Sequence, residues 1–149
     1  MKKTATREPR ADSDSEADWM SRGSMSVVVR LAQLDDERDV ETLIEILDAY
    51  ARGPGGQSAP LSELARKNLG PGLRGHPNAF VLFGELSGRV VGAAVCVWSY
   101  STFAGRPSVN LHDFAVLPEA QGLGVGTALL TELECRARER GCAKMTLEV

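Results

Sequence analysis

The residues best suited to chemistry stand together in one stretch, 110–127, NLHDFAVLPEAQGLGVGT. Gly122, Gly124 and Gly126 alternate with Leu123 and Val125, between Gln121 and Thr127. Glycines so spaced let a bulky anion approach the main chain without meeting a Cβ. An apolar run before them, halted by Pro118, and a long helical pattern after them make a strand, a turn and a helix. That arrangement points free N–H groups and a helix dipole at an anion, so the chemistry implied is phosphate or pyrophosphate binding. No Gly-Lys-Ser/Thr follows, which excludes a P-loop. The run is G-x-G-x-G with no βαβ unit closed by an acidic residue, which excludes the dinucleotide fingerprint.

His112 and Asp113 supply the candidate proton chemistry. Strict alternation places Asn110, His112 and Phe114 on one strand face and Leu111, Asp113 and Ala115 on the other. A histidine side chain titrates near neutrality, at about pH 6.5, and suits accepting a proton, directly or through water. A histidine that satisfies a local hydrogen bond or lines the pocket is the alternative. Asp113 orients a loop or a substrate group, or is structural. His76, between Gly75 and Pro77, is expected to face solvent. Cys96, Cys135 and Cys142 lack C-x-x-C spacing or clustered histidines, so no metal site or disulfide is expected. Cys96 sits in an apolar run and reads as a buried core thiol.

The elements that position these residues follow from periodicity. VVVRL, 27–31, is a β-branched first strand. Asp35 or Asp36 then caps a helix whose Val40, Leu43, Ile44 and Leu47 face inward, with Asp39, Glu41, Glu45 and Asp48 on the solvated side. Arg52-Gly53 closes it. A loop, 53–60, a short helix, 61–69, and a second loop through Gly70-Pro71-Gly72 and His76-Pro77 come next. Residues 79–86 and 90–98 are apolar strands joined by a tight Ser87-Gly88 hairpin. Residues 100–107 read as a loop before the fourth strand. The helix after the glycines carries Val125, Leu129, Leu133 and Ala137 inward, ends at Gly141 as a left-handed cap, and leads to a fifth strand, 144–149.

The stretch resembles the GNAT superfamily of acyl-CoA-dependent N-acyltransferases. Gln121, Gly124 and Gly126 fall on its Gln/Arg-x-x-Gly-x-Gly/Ala loop, and Val116-Leu117-Pro118-Glu119 on its Val-x-Pro-Glu strand end. Gly88-Arg89-Val90-Val91-Gly92 is similar to the family's hairpin. The loop 100–107 resembles that of the diamine acetyltransferase branch, which has a Glu-Asp pair where this chain has His112-Asp113. The resemblance implies an α+β fold with a mixed, mostly antiparallel sheet flanked by helices. It implies acetyl-CoA as cofactor and an amine as acceptor. The main chain of Phe114, Ala115 and Val116 would pair with the pantetheine arm, and the N–H groups of Gly122, Leu123, Gly124, Val125, Gly126 and Thr127, with Gln121, would receive the pyrophosphate. Val116 N–H would be the oxyanion donor, worth about 3 kcal/mol. His112 is the candidate catalytic base.

The resemblance runs from about residue 27 to 149. Family members usually continue with Asn-x-x-Ala, a helix ending in Leu-Tyr-x-x-x-Gly-Phe and two more strands. The expectation is therefore a domain, 27–149, lacking that helix and those strands, with the fifth strand as an open edge. Poor solubility, self-association or completion by another subunit is the expected consequence. The family's general-acid tyrosine has no counterpart, since Tyr50 and Tyr100 match no such motif. A catalytically weak or inactive acyl-CoA-binding fragment is the alternative function.

Composition bounds the rest. A length of 149 residues suits one domain, and a net charge of −3 favours no particular partner. No basic stripe stands clear of acids, so no nucleic acid is expected. No apolar run approaches the ~18 residues of a membrane span. Residues 1–26 balance five basic against five acidic side chains and offer little to bury, which predicts a disordered tail. Lys2 and Lys3 precede no apolar segment, and the compartment expected is the cytoplasm.

Overall fold

The computed structural model describes residues 26–148. The tail expected over 1–26 falls, Ser26 apart, outside the described residues. In order come β1 (Val27–Leu31), α1 (Glu37–Arg52), α2 (Glu63–Arg74), β2 (Ala79–Leu86), β3 (Arg89–Ser101), β4 (Arg106–Val116), a 3-10 turn at Pro118–Ala120, α3 (Val125–Glu139) and β5 (Met145–Leu147). The sheet runs β1-β2-β3-β4-β5, antiparallel until β5 pairs parallel to β4. This is the expected α+β class, with helices on both faces.

Each face has its own core. α3 brings Leu129 and Leu133, both fully buried, against Leu82, Cys96 and Leu111. α1 brings Leu43 and Ile46 against Val81, Phe83 and Val95 on the other face. Each fully buried leucine stabilises the fold by about 1.5–3 kcal/mol.

Several local features follow from the sequence as read. Asp36 caps α1 by accepting from Arg38 N–H at 2.9 Å. Ser87 (φ 50°) and Gly88 (φ 77°) are both left-handed, which makes a two-residue hairpin turn matching the strand twist. Gly141 (φ 75°) ends α3. Cys142 N–H donates to Ala137 O at 2.9 Å and Gly141 N–H to Arg138 O at 3.0 Å, satisfying the last carbonyls.

Asp39 departs from its expected solvated place and is buried on the inward side of α1. The cause is Arg30 on β1, whose Nη1 and Nη2 meet Asp39 Oδ2 and Oδ1 at 2.8 and 2.9 Å. Arg30 Nε also meets Glu85 Oε1 at 2.7 Å, and Gln33 N–H donates to Asp39 Oδ2 at 2.7 Å. A carboxylate so fully bonded is stable at low exposure. The hydrogen bonds from Arg30 hold its carboxyl below the usual range. The inward face of α1 is correspondingly turned: Ile46 is fully buried, while Val40, Ile44 and Leu47 are half-buried.

α2 starts at the Ser62 cap and continues through Gly70-Pro71-Gly72, which composition reads as a loop. Pro71 forfeits one helical hydrogen bond. Tertiary contacts hold the turn: Gly70 lies so close to α1 that a Cβ there would stand 2.8 Å from Val40 Cγ1, and Arg74 Nη1 donates to Leu34 O at 2.8 Å.

Half of the 100–107 loop is strand. Tyr100 pairs with Pro107 and Ser101 with Arg106, leaving only 102–105 to turn. Pro107 fits because its carbonyl accepts from Ala143 N–H at 2.8 Å, so its peptide groups face away from β3 and the missing N–H breaks no bond there. β5 is shorter than expected, three exposed residues on the edge of the sheet.

Candidate active site

The glycine loop lies between the end of β4 and α3, and a notch in the sheet fixes that helix. Gly84 and Gly92 stand opposite one another on β2 and β3. A Cβ on either would sit 2.8 Å from Val125 Cγ1. Val125, 1% exposed, thus fits into the sheet and seats the first turn of α3 on its middle strands. Sequence reasoning missed Gly84. A glycine in each strand at nearly equal distance from Ser87-Gly88 is the pattern that could have found it.

Gly122 (φ 78°) and Gly124 (φ 86°) are left-handed, and a Cβ on either would meet nothing within 4 Å. Glycine supplies the backbone conformation there and leaves the approach open. Gly126 has a different reason, since its Cβ would stand 3.2 Å from Phe114 Cζ. Gly124 is the N-cap of α3, with no side-chain cap. Ala128 N–H to Gly124 O, 3.0 Å, is the first bond closed. The N–H groups of Val125, Gly126 and Thr127 therefore have no helical carbonyl to meet. Gln121, Gly122, Leu123 and Gly124 are exposed, and Gln121 Nε2 ties the loop back to Val116 O at 3.3 Å.

Before the loop, the end of β4 has no strand partner on its β5 side among the described residues. Its pairing with β5 stops at Leu111–Leu147, where Glu148 N–H donates to Leu111 O at 3.3 Å, yet β4 continues to Val116. Leu117 N–H donates to Val91 O at 2.8 Å. By antiparallel alternation, Asp113 and Ala115 turn their peptide groups to β3, while Phe114 and Val116 turn theirs to the edge. Ala115 thus lies between two edge-facing residues without presenting its own peptide groups there.

The strict alternation expected for β4 fails at His112. Val95 pairs with Asp113 but Cys96 with Leu111, so His112 is the extra residue of a β-bulge. Leu111 and Phe114 consequently pack toward α3 together, and Ala115 toward α1. His112 and Asp113 both line one cavity of about 580 Å³ between α2 and the sheet, rather than facing opposite ways.

Val95 and Val97 form the sheet wall of this cavity, and Leu69 and Leu73 the helix wall. His76 also lines it; exposed as expected, it holds Gly72 O at 2.8 Å through Nδ1. His112 is exposed, its Nδ1 3.8 Å from Glu148 Oε2, a charge contact when protonated. Asp113 is half-buried, and no hydrogen bond or ion pair with its carboxylate is present among the described residues. Tyr50 lines a second hollow, of about 270 Å³, which shares Leu47, Leu69 and Asp113 with the first. Tyr100 is exposed near the β3–β4 turn. Among the described residues no group of acidic, histidine and cysteine side chains could hold a metal ion. No helix among them is long and apolar enough to cross a membrane.

An uncapped helix start on a glycine turn thus follows a β4 edge that has no strand partner past Leu111 among the described residues. The chain belongs to the Acetyltransferase (GNAT) family, which it matches over residues 40–149. It is similar to the bovine thialysine N-epsilon-acetyltransferase, 37% identical over 60 residues. That match covers 40% of this chain and 35% of the bovine protein, so the matched region spans little more than a third of that relative's length. The glucosamine 6-phosphate N-acetyltransferase of Trypanosoma brucei brucei is 27% identical over 114 residues, 76% of this chain and 75% of that one. The fold is shared with the ribosomal-protein-alanine N-acetyltransferase of Brucella melitensis biovar Abortus 2308. There the TM-score is 0.69 and the identity 21%, over 83% of this chain and 80% of that one.

Proposed function

We propose that this chain is a cytoplasmic N-acetyltransferase that carries an acetyl group from acetyl-CoA to a primary amine of a small molecule or protein. One observation carries the reading: the β4 edge at Phe114 and Val116, without a strand partner among the described residues, leads through the Pro118–Ala120 turn to the uncapped turn at Gly122–Thr127. The cradle fits the cofactor, because Gly122 and Gly124 leave open space where a Cβ would stand. The N–H groups from Gly122 to Thr127, with Gln121 and Leu123 framing the turn, bind the pyrophosphate. Phe114 and Val116 pair with the pantetheine arm as an added strand would, with Ala115 between them paired to Ala93 of β3.

Acetyl-CoA supplies the acetyl group as a thioester, whose C–S bond breaks as the C–N bond to the amine forms. The chain's own contribution is to bind, polarise and move a proton. Val116 N–H, directed at the edge, donates to the oxyanion, a contribution of about 3 kcal/mol. His112, presented by the bulge at the cavity rim, accepts the proton of the incoming ammonium. The three thiols are unpaired, as a reducing cytoplasm keeps them.

The test is release of free CoA thiol from acetyl-CoA in the presence of amines. The wild-type chain is expected to turn over, and His112→Gln to lower kcat about a hundredfold with acetyl-CoA affinity unchanged. An unchanged kcat in His112→Gln would remove His112 as the base. A chain that binds acetyl-CoA yet acetylates no amine would contradict the reading.

A further inference from the structure

The acceptor's chemistry is written in the lining of the 580 Å³ cavity. Its walls are mostly apolar, and Asp113 is the one carboxylate among the described lining residues. No lysine or arginine lines it among those residues. The Asp113 carboxylate has no protein partner among the described residues, and a half-buried carboxylate facing an apolar space is stabilised by a cation brought to it. The β4 bulge sets His112 beside it on the same cavity wall.

An acceptor bearing a phosphate or carboxylate would enter without a cation to meet it and would lose hydration that nothing on the walls replaces. A polycation would leave its further ammonium groups against apolar walls. We propose that the cavity takes a primary monoamine with an uncharged, apolar body, such as an aryl-alkyl or alkyl amine, with Asp113 as the residue that holds the ammonium. This rests on the acyl-transfer reading above and names the acceptor for that site. Asp113 holds the cation and His112 takes one of its protons; the freed amine attacks the thioester carbon, the C–S bond breaks, and the nitrogen's second proton passes to the departing thiolate, which leaves as the CoA thiol.

The experiment compares 2-phenylethylamine and hexylamine with L-lysine, spermidine and glucosamine 6-phosphate, using the full chain and acetyl-CoA. kcat/KM is expected to be at least tenfold higher for the first two. Asp113→Asn is expected to raise KM for 2-phenylethylamine at least tenfold, with a smaller change in kcat and acetyl-CoA affinity within twofold. Calorimetry of 2-phenylethylamine alone is expected to show the same loss, and Asp113→Glu to restore part of it. Asn68→Lys, an exposed substitution at the cavity wall, adds a cation without disturbing the core and is expected to raise that KM at least threefold. It serves also if Asp113→Asn does not fold. A preference for lysine, spermidine or the phosphosugar overturns the inference, as does an unchanged KM in either variant. A chain that binds acetyl-CoA but acetylates none of the five overturns it too. Failure to bind acetyl-CoA instead overturns the acyl-transfer reading itself.

Discussion

The ring of Phe114 and the main chain of Gly126 are in contact, so close that a Cβ on Gly126 would stand 3.2 Å from Phe114 Cζ. Through this contact the open edge of β4 and the first turn of α3 hold one another at a fixed spacing. Gly126→Val is expected to lower stability by about 1–3 kcal/mol, as overpacking does. Phe114→Leu in the same chain is expected to return most of the loss. Urea unfolding midpoints of the two single variants and the double variant measure the coupling, and simple additivity would dissolve the link between strand and helix.

A second close approach seats the same helix. Gly92→Ala is expected to cost about 1–3 kcal/mol, because the new methyl meets Val125 Cγ1 at 2.8 Å and Ala115 O at 3.3 Å. Val125→Ala frees the notch, so the double variant should be no less stable than Val125→Ala alone. Thermal unfolding of the set decides it.

The Arg30–Asp39 pair makes stability pH-dependent on the acid side. Asp39 titrates below its ordinary range in the folded chain, first because Arg30 hydrogen-bonds it. A depressed folded pKa adds stability that is present above the unfolded value, about 3.9, and is lost as pH falls through the folded one. Asp39→Asn is expected to cost about 2 kcal/mol at pH 7, Arg30 being partly exposed. The difference from wild type should shrink below about pH 4. A difference independent of pH would mean that the loss is one of packing alone.

Cys96 is fully buried, and desolvation pushes its thiol up to about 12. Cys135 is exposed on α3. Iodoacetamide at pH 8 is expected to modify Cys135 in the native chain and Cys96 only after denaturation, read by peptide mass. Native modification of Cys96 at a comparable rate would show that the β3 core opens.

Local signals carried the fold wherever a residue type dictates its own backbone. Asp36 capped its helix, Ser87-Gly88 turned its hairpin, and Gly124 and Gly141 bounded α3. Each depends on a few neighbours in the chain, and each is therefore legible from one window. What escaped depends on partners far away in sequence. Asp39 is buried because Arg30 and Gln33 complete its hydrogen bonds, and Pro71 stays helical because Val40 and Leu34 hold that turn. Gly84 matters only once Val125 is packed over it. The bulge at His112 shifts register between β3 and β4, and no alternation rule applied to β4 alone can detect an unpaired residue. That single shift decides whether His112 and Asp113 face apart or line one cavity.

Acetyl-CoA binding to the purified chain, titrated by calorimetry beside a Gly124→Glu variant, tests the cofactor cradle most directly. Gly124 caps α3 in a left-handed conformation with open space around it, so glutamate there brings backbone strain and a negative charge to the proposed pyrophosphate site. Saturable one-to-one binding by the wild-type chain, lost by at least a hundredfold in the variant, is the expected result. Equal affinity in both chains, or no binding by a folded wild-type chain, would contradict it.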